Sequence, residues 1–322
     1  MPGCDIQPGK TTTAKSSERA SLAPPTRTNP GQHHTKLGIL LTLLFLCLDS
    51  FVVGGDLVST IPPNPQIPDV PFHLYHGYLV IVEGRIGNLD HQNLLIDTGT
   101  SPSMIDKGTA EKLALKGTTD GISLFNKNLS AERVVLPDLQ IGGLQRRNLQ
   151  VMVADFSKIA NGMGTHLDGV IGLDVLGARS FTIDYKKQRI SFHASHERHS
   201  ASFSAGPQFI TVNFNTGNRE LHLLVDTGTP HLVIFKRALD DLEYEWSSMT
   251  GSGQNISGVV SYRNIILPKA ALGAENVGPQ RASVVIDQKN VEAGYDGLIG
   301  LSLLRPRQLS FDFDHQLLGW SN

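Results

Sequence analysis

Leu94-Leu-Ile-Asp-Thr-Gly-Thr100 and Leu223-Leu-Val-Asp-Thr-Gly-Thr229 are two copies of one stretch, 129 residues apart. A single Asp-Thr-Gly is ordinary turn chemistry and carries little weight alone. Here each copy ends an apolar run of strand type and leads into a second apolar patch, Met104-Ile105 or Leu232-Val-Ile-Phe235. Each aspartate therefore stands where a buried strand breaks into a tight turn, which Gly99 and Gly228 are expected to permit by accepting positive φ.

The duplication extends well beyond the turn. Asp168-Gly-Val-Ile-Gly-Leu-Asp-Val-Leu176 returns as Asp296-Gly-Leu-Ile-Gly-Leu-Ser-Leu-Leu304. Asp97 and Asp168 are 71 residues apart, Asp226 and Asp296 70. Between them Val134-Val-Leu-Pro137 matches Ile265-Ile-Leu-Pro268, and after them Phe181-Thr-Ile-Asp-Tyr185 matches Leu309-Ser-Phe-Asp-Phe313. Matching features in one order at nearly one spacing make an internal repeat of about 120 residues, too long for a solenoid unit and the right size for a lobe.

Within each repeat the pattern is β. Short apolar or alternating runs lie between Gly, Asn, Asp and Pro: 78–82, 94–96, 134–136, 149–153 and 181–183, then 209–212, 221–225, 259–260, 283–286 and 309–311. Strands at this spacing predict an all-β barrel or sandwich. Short helices are expected at Lys107–Leu115 and just after Gly172 and Gly300. The fold class is all-β and bilobed: two homologous β-barrel-like lobes related by a pseudo-twofold axis, with a few short helices.

The flanking regions read differently. Residues 1–36 are rich in Ser, Thr, Pro and Gly and carry five Lys or Arg against two acids, which predicts a disordered tail. Leu37 to Leu48 is an apolar run of 12 residues. That is short for a spanning helix and right for a signal-peptide core, with small residues at Val53-Gly54-Gly55 for cleavage. A retained anchor through residues 37–54, tethering the chain to a membrane, is the alternative. Either way the lobes are expected to be secreted or periplasmic, or membrane-anchored on the non-cytoplasmic side. The chain accordingly divides into a tail (1–36), a signal peptide or signal anchor (37–55), a Pro-rich linker (56–71), a first lobe (72–194), an interlobe linker (195–206) and a second lobe (207–322).

Several function classes fall away. The two cysteines, Cys4 and Cys47, lie in the tail and the apolar run, which leaves no disulfide or thiolate metal site in the lobes. His193, His196 and His199 recur every three residues, but in a polar bridge without a metal-ligand pattern. Net charge is −2, and no basic patch with interleaved aromatics suggests nucleic acid. Asn128-Leu-Ser130 and Asn255-Ile-Ser257 fit glycosylation sequons. His231 follows the second motif directly, with its side chain either turned toward the aspartates, where it would perturb them, or facing away.

One aspartate per lobe is what brings two carboxylates face to face across a pseudo-twofold axis. Two such groups a few ångströms apart do not both ionise cheaply, so the pair is expected to hold one proton over a broad acidic range. The ionised member can take a proton from a water between them, and the protonated member can donate to a substrate carbonyl. This is hydrolysis of an amide without a metal or a covalent intermediate.

Hydrophobic-hydrophobic-Asp-Thr-Gly-Thr in two copies, with Val170-Ile-Gly172 and Leu298-Ile-Gly300 each opening a short helix, resembles the pepsin and retropepsin aspartic peptidases. The resemblance spans both repeats. It implies Asp97 and Asp226 as the catalytic pair, with Thr98 and Thr227 as a buried hydroxyl grip between the two loops. Gly99 and Gly228 would present N–H groups to the carboxylates, Thr100 and Thr229 would bond their outer oxygens, and Gly172 and Gly300 would be the glycines of the ψ-shaped loops. Lobes this small look closer to two fused retropepsin subunits than to pepsin. The first flap-like hairpin, roughly Thr118 to Val134, holds Phe125 but no tyrosine. The second, Met249 to Tyr262, is rich in Gly and Ser and offers Gly251 and Gly253 as flap residues. The implied function is an aspartic endopeptidase acting as a monomer on an extended polypeptide, with no metal and no organic cofactor. The alternative is a non-catalytic peptide- or protein-binding protein on the same scaffold.

Overall fold

A computed structural model describes residues 67–123, 128–206, 208–255, 258–285 and 294–322. The tail, the apolar run 37–55 and most of the Pro-rich linker lie outside the described residues, as does Phe125. Among the described residues no helix is long and apolar enough to cross a membrane.

The first lobe carries β1 (Val70–Tyr75), β2 (Leu79–Ile86), β3 (Leu89–Ile96), β4 (Met104–Asp106), β5 (Thr118–Ser123), β6 (Asn128–Ile141), β7 (Leu144–Ala154), β8 (Gly169–Ile171), β9 (Phe181–Asp184) and β10 (Arg189–Ser191). The second carries β11 (His199–Ala205), β12 (Ile210–Asn215), β13 (Glu220–Val225), β14 (Leu232–Ile234), β15 (Glu245–Asn255), β16 (Gly258–Leu267), β17 (Ala271–Leu272), β18 (Glu275–Asn276), β19 (Gln280–Val285), β20 (Gly297–Ile299), β21 (Gln308–Asp312) and β22 (Leu317–Ser321). Among the described residues four short α-helices accompany them: α1 (Lys107–Lys112), α2 (Ser157–Met163), α3 (Leu173–Leu176) and α4 (Leu301–Leu304). The all-β, bilobed architecture expected from the repeat is the one observed.

Both lobes thread their strands alike. The strand that delivers the aspartate, β3 or β13, lies parallel to the three-residue strand β8 or β20, with Ile96 beside Ile171 and Val225 beside Ile299. The strand leaving the turn, β4 or β14, runs antiparallel along the other side of β8 or β20. These middle strands, Gly-Val-Ile and Gly-Leu-Ile, are wholly buried, as expected of a strand with neighbours on both edges. Asp168 and Asp296, repeated in sequence, fix this threading. Their carboxylates accept from the amides of Asn93 (2.9 Å) and His222 (3.0 Å), and their carbonyls accept from the amides of Asp106 and Phe235.

The lobes are joined by a six-stranded antiparallel sheet in the order β1-β10-β9-β21-β22-β11. At its centre Phe181 pairs with Phe311, Ile183 with Leu309, and Thr182 with Ser310. Thr182 and Ser310 are equivalent positions of the repeat, so the pseudo-twofold axis passes between them. There the Thr182 hydroxyl donates to Ser310 Oγ at 3.1 Å. The Phe181 and Phe311 rings stack beside the axis with centroids 4.6 Å apart.

This sheet corrects two expected boundaries. The bridge read as an interlobe linker, 195–206, contains β11, which pairs with β22 and β12. Ala201 and Phe203 point inward while Ser200, Ser202 and Ser204 point out, a period-two pattern that the serines and His199 disguised as a polar turn. β11 is the counterpart of β1. Likewise β1 begins at Val70, inside the expected Pro-rich linker, because Val70 and Phe72 are buried while Pro71 sits on the exposed side. The helix expected at Lys107–Leu115 is observed as α1, where the Asp106 side chain accepts from the Gly108 amide at 2.8 Å. Helix α2 was not expected.

Beneath the second lobe's hairpin, Tyr295 packs between Phe209 and Phe235 with centroids 5.9 and 5.6 Å away, and its hydroxyl is buried with no hydrogen-bond partner among the described residues. Tyr295→Phe keeps the ring and removes a desolvated donor. Urea unfolding is expected to show unchanged or higher stability, by up to about 1 kcal/mol; a clear loss would mean that the hydroxyl has a partner in solution.

Candidate active site

Asp97 and Asp226 stand at the ends of β3 and β13, and both are fully buried. Each main chain is held by the lobe's own threading, with the Asp97 amide donating to Ile171 O (3.0 Å) and that of Asp226 to Ile299 O (3.1 Å). Each turn then folds back on its own carboxylate. Gly99 N donates to Asp97 Oδ1 and Gly228 N to Asp226 Oδ1, both at 2.8 Å. The Thr100 hydroxyl donates to Asp97 Oδ2 at 2.8 Å. On the other side the Thr229 backbone N–H faces the Asp226 carboxyl.

The two turns are locked to each other. Thr98 Oγ1 accepts from the Thr227 amide (3.1 Å) and donates to Val225 O (2.8 Å). Thr227 Oγ1 does the reverse, accepting from the Thr98 amide (3.1 Å) and donating to Ile96 O (3.2 Å). Each hydroxyl thus satisfies a buried amide and a buried carbonyl of the opposite lobe, groups that are costly to leave unpaired.

The glycines have a steric cause and not the positive φ expected of the turns, since neither Gly99 nor Gly228 takes up a left-handed conformation. A Cβ on Gly99 would lie 2.6 Å from Asp226 Cγ, and one on Gly228 2.8 Å from Asp97 Cγ. Each carboxyl group therefore rests against the opposite turn, at a distance only glycine permits. Gly172 and Gly300 serve the next layer: a Cβ there would meet Thr100 O at 2.0 Å or Thr229 O at 2.5 Å. The amides of Leu173 and Leu301 donate to those same carbonyls at 3.0 and 3.2 Å.

Burial sets the electrostatics. Asp97 is pushed up to about 6, with desolvation the largest cause, opposed by the Thr100 hydroxyl and the Gly99 amide. Asp226 is raised well above the usual carboxylate range by burial first, then by the charge of Asp97 and their mutual hydrogen bond. Asp226 is thus the member that keeps the proton, and Asp97 the one that ionises first. A carboxyl whose pKa is raised on folding stabilises fully below its unfolded value, about 4, and that contribution is lost as pH rises through the folded value. The pair is therefore expected to lower the melting temperature as pH rises from 4, most steeply between 4 and 6, where both carboxyls are still protonated only in the folded state, and less steeply above 6, where Asp226 alone contributes. The difference between wild type and Asp226→Asn isolates it from other titrations; a difference that does not grow with pH would contradict these shifts.

The structure brings together eight of the residues singled out in sequence: both aspartates, the four threonines of the turns, Gly99 and Gly228. Gly172 and Gly300 lie directly behind them. Gly251 and Gly253 are on β15, opposite Tyr262 and Val260 of β16, in a hairpin matching β5–β6 of the first lobe. Two residues were missed. Ser103 Oγ donates to Asp174 (2.6 Å) and accepts from the Gly172 amide (2.9 Å), fastening the first turn to α3. Leu232 and Ser302 occupy those positions in the second lobe, so comparison of the repeats gave no signal for the pair. Among the described residues no cluster of His, Cys, Asp and Glu is arranged to hold a metal ion.

A family model described as Aspartyl protease matches the chain twice, over residues 82–175 and 210–303. Each match runs from β2 or β12 through the aspartate turn and the threaded strand to the short helix behind it. No curated protein matches the chain.

Proposed function

The chain belongs to the aspartyl protease family, and on that premise we propose that it is an endopeptidase whose single active site is formed by Asp97 and Asp226 where the lobes meet. The observation that carries the reading is the reciprocal approach of each motif glycine to the opposite carboxyl group. Two separate structural turns have no need to face each other, nor to share a buried proton.

In this mechanism ionised Asp97 takes a proton from a water while that water's oxygen attacks the peptide carbonyl carbon. Asp226 gives its proton to the carbonyl oxygen, so the intermediate is a neutral diol rather than an oxyanion. Collapse breaks the C–N bond: Asp97 gives its proton to the departing nitrogen while Asp226 takes one back from a diol hydroxyl, which leaves a carboxylic acid, an amine and the pair with its single proton restored. The Gly99 and Gly228 amides and the Thr100 hydroxyl keep both carboxyl groups aimed through the cycle. The reading includes an extended polypeptide substrate, action as a monomer and, from the apolar run 37–48 alone, lobes on the non-cytoplasmic side of a membrane.

The test is cleavage of unfolded casein by the full chain between pH 3 and 8, with Asp97→Asn and Asp226→Asn beside it. Cleavage that either substitution abolishes supports one shared pair. A well-folded wild type that binds casein but leaves it intact across the range would make the scaffold a binding protein instead.

A further inference from the structure

The two lobes are not decorated equally beside the aspartate turns. In the second lobe His231 follows the turn at two residues from Thr229, and its backbone lies against the threaded loop, where a Cβ on Gly300 would sit 2.5 Å from His231 O. The hairpin β15–β16 brings Tyr262 to it, ring centroids 6.3 Å apart and tilted by 48°. Tyr262 reaches that place by lying across its cross-strand partner Gly251, where any Cβ would be 2.5 Å from the phenol oxygen. In the first lobe the equivalent positions are Pro102 and Ala131, and Asp120 stands opposite Ala131. The repeat supplies the scaffold, and only the second lobe carries the two polar rings and the glycine that admits one of them.

Both side chains are partly exposed, and neither the phenol oxygen nor the imidazole nitrogens make a hydrogen bond among the described residues. Tyr262 and Val260 share one face of β16, and Val260 is buried in the second lobe's core, so Tyr262 lies on the inward face of the hairpin. On the next position Arg263 instead lies over Trp246, its guanidinium 4.1 Å from the ring centroid. The cation of this hairpin is thereby engaged away from the pair.

We propose that Tyr262 and His231 form a polar subsite beside the second-lobe aspartate turn, selecting an uncharged hydrogen-bonding side chain of the substrate, an amide or a hydroxyl. This deepens the peptidase reading and rests on it. A neutral imidazole offers one donor and one acceptor, and a phenol offers one of each, which matches a carboxamide or hydroxyl. Burial holds the imidazole pKa below its ordinary value, so the ring stays neutral at neutral pH and attracts no carboxylate. An aliphatic side chain would leave these groups unpaired when substrate covers them, a discrimination that outweighs the few atoms of apolar contact.

The test compares wild type, Tyr262→Phe and His231→Ala on peptides differing only in one side chain, Gln, Ser, Leu or Glu, placed in turn at each residue flanking the scissile bond. Cleavage is read as kcat/KM, and binding of analogues with a reduced scissile bond as anisotropy. At one position wild type is expected to favour Gln or Ser over Leu by about tenfold or more, and both variants to bring that ratio toward one. Tyr262→Phe keeps the ring over Gly251, so it separates the hydroxyl from packing. A wild type without preference at any position, or variants that retain it, overturns the subsite. If wild type cuts no peptide the peptidase reading fails, while the anisotropy series still decides the subsite.

Discussion

Replacing Asp97 or Asp226 by asparagine is expected to lower kcat/KM on casein or a peptide by about a thousandfold or more, because each change removes one of two proton-transfer roles that a single turnover needs. The Asp97→Asn variant has no carboxylate to accept the proton of the attacking water. The Asp226→Asn variant still offers an N–H to the substrate carbonyl, but it has no proton to release to the diol and none to recover. The losses should therefore be similar and far from additive when combined, as for residues acting as one unit. Folding does not confound the result. Burial disfavours the charged form of both carboxyls, so a neutral amide at either position is expected to melt at or above the wild-type temperature at pH 7. The pH profile of wild-type kcat/KM follows from the same shifts. Its acid limb, reporting the ionisation of Asp97, is expected near pH 6, and activity should persist to neutral pH because Asp226 holds its proton. A limb near pH 3 would show that the carboxylate has more stabilising hydrogen bonds in solution than burial cost.

Alanine at Gly99 or Gly228 is the second large effect. The added methyl would lie 2.6 or 2.8 Å from the opposing carboxyl carbon, closer than side-chain carbons approach. Neither partner yields easily. The carboxyls are held by the amides and hydroxyl of their own turns, and the turns by the reciprocal Thr98 and Thr227 bonds. Relief must separate the two carboxyl groups. A displacement of that size is expected to cost about a hundredfold or more in kcat/KM, with stability reduced by about 1–3 kcal/mol as for other overpacked sites. Gly294→Ala, where a Cβ meets nothing within 4 Å, is the matched control and should leave both unchanged. Equal activity in Gly99→Ala and Gly294→Ala would show that the carboxyls do not sit against the opposite turns.

The parts of this protein legible in its sequence are those that both repeats needed for the same reason. The aspartate, threonine and glycine of each turn appear twice because the site uses each of them twice. Gly172 and Gly300 do so because the same carbonyl blocks a side chain in both lobes. Asp168 and Asp296 were visible as a repeat, but their task of bonding Asn93 and His222 across parallel strands was not. Strand β11 was hidden by its own environment: it covers the sheet with two inward residues and leaves serines on the water side. Helix α2 had a local signal, since the Asp155 side chain accepts from the Ser157 amide at 2.8 Å, though the helix holds few apolar residues. The pairing of His231 with Tyr262 joins residues 31 positions apart through a hairpin register, and no local pattern encodes that.

The seam between the lobes also bears on how the chain is made. Strand β9 ends its own half as an edge, and its partner β21 is 130 residues later at the Phe181–Phe311 pair. At about 5–20 residues per second, the edge waits on the order of ten seconds for that partner to leave the ribosome. An open edge with Phe181 and Ile183 is a template for another strand, and the strand that fits it best by symmetry is another β9. Two unfinished chains meeting Thr182 to Thr182 would imitate the finished seam. Polysome crowding therefore sets a hazard that the completed molecule no longer shows.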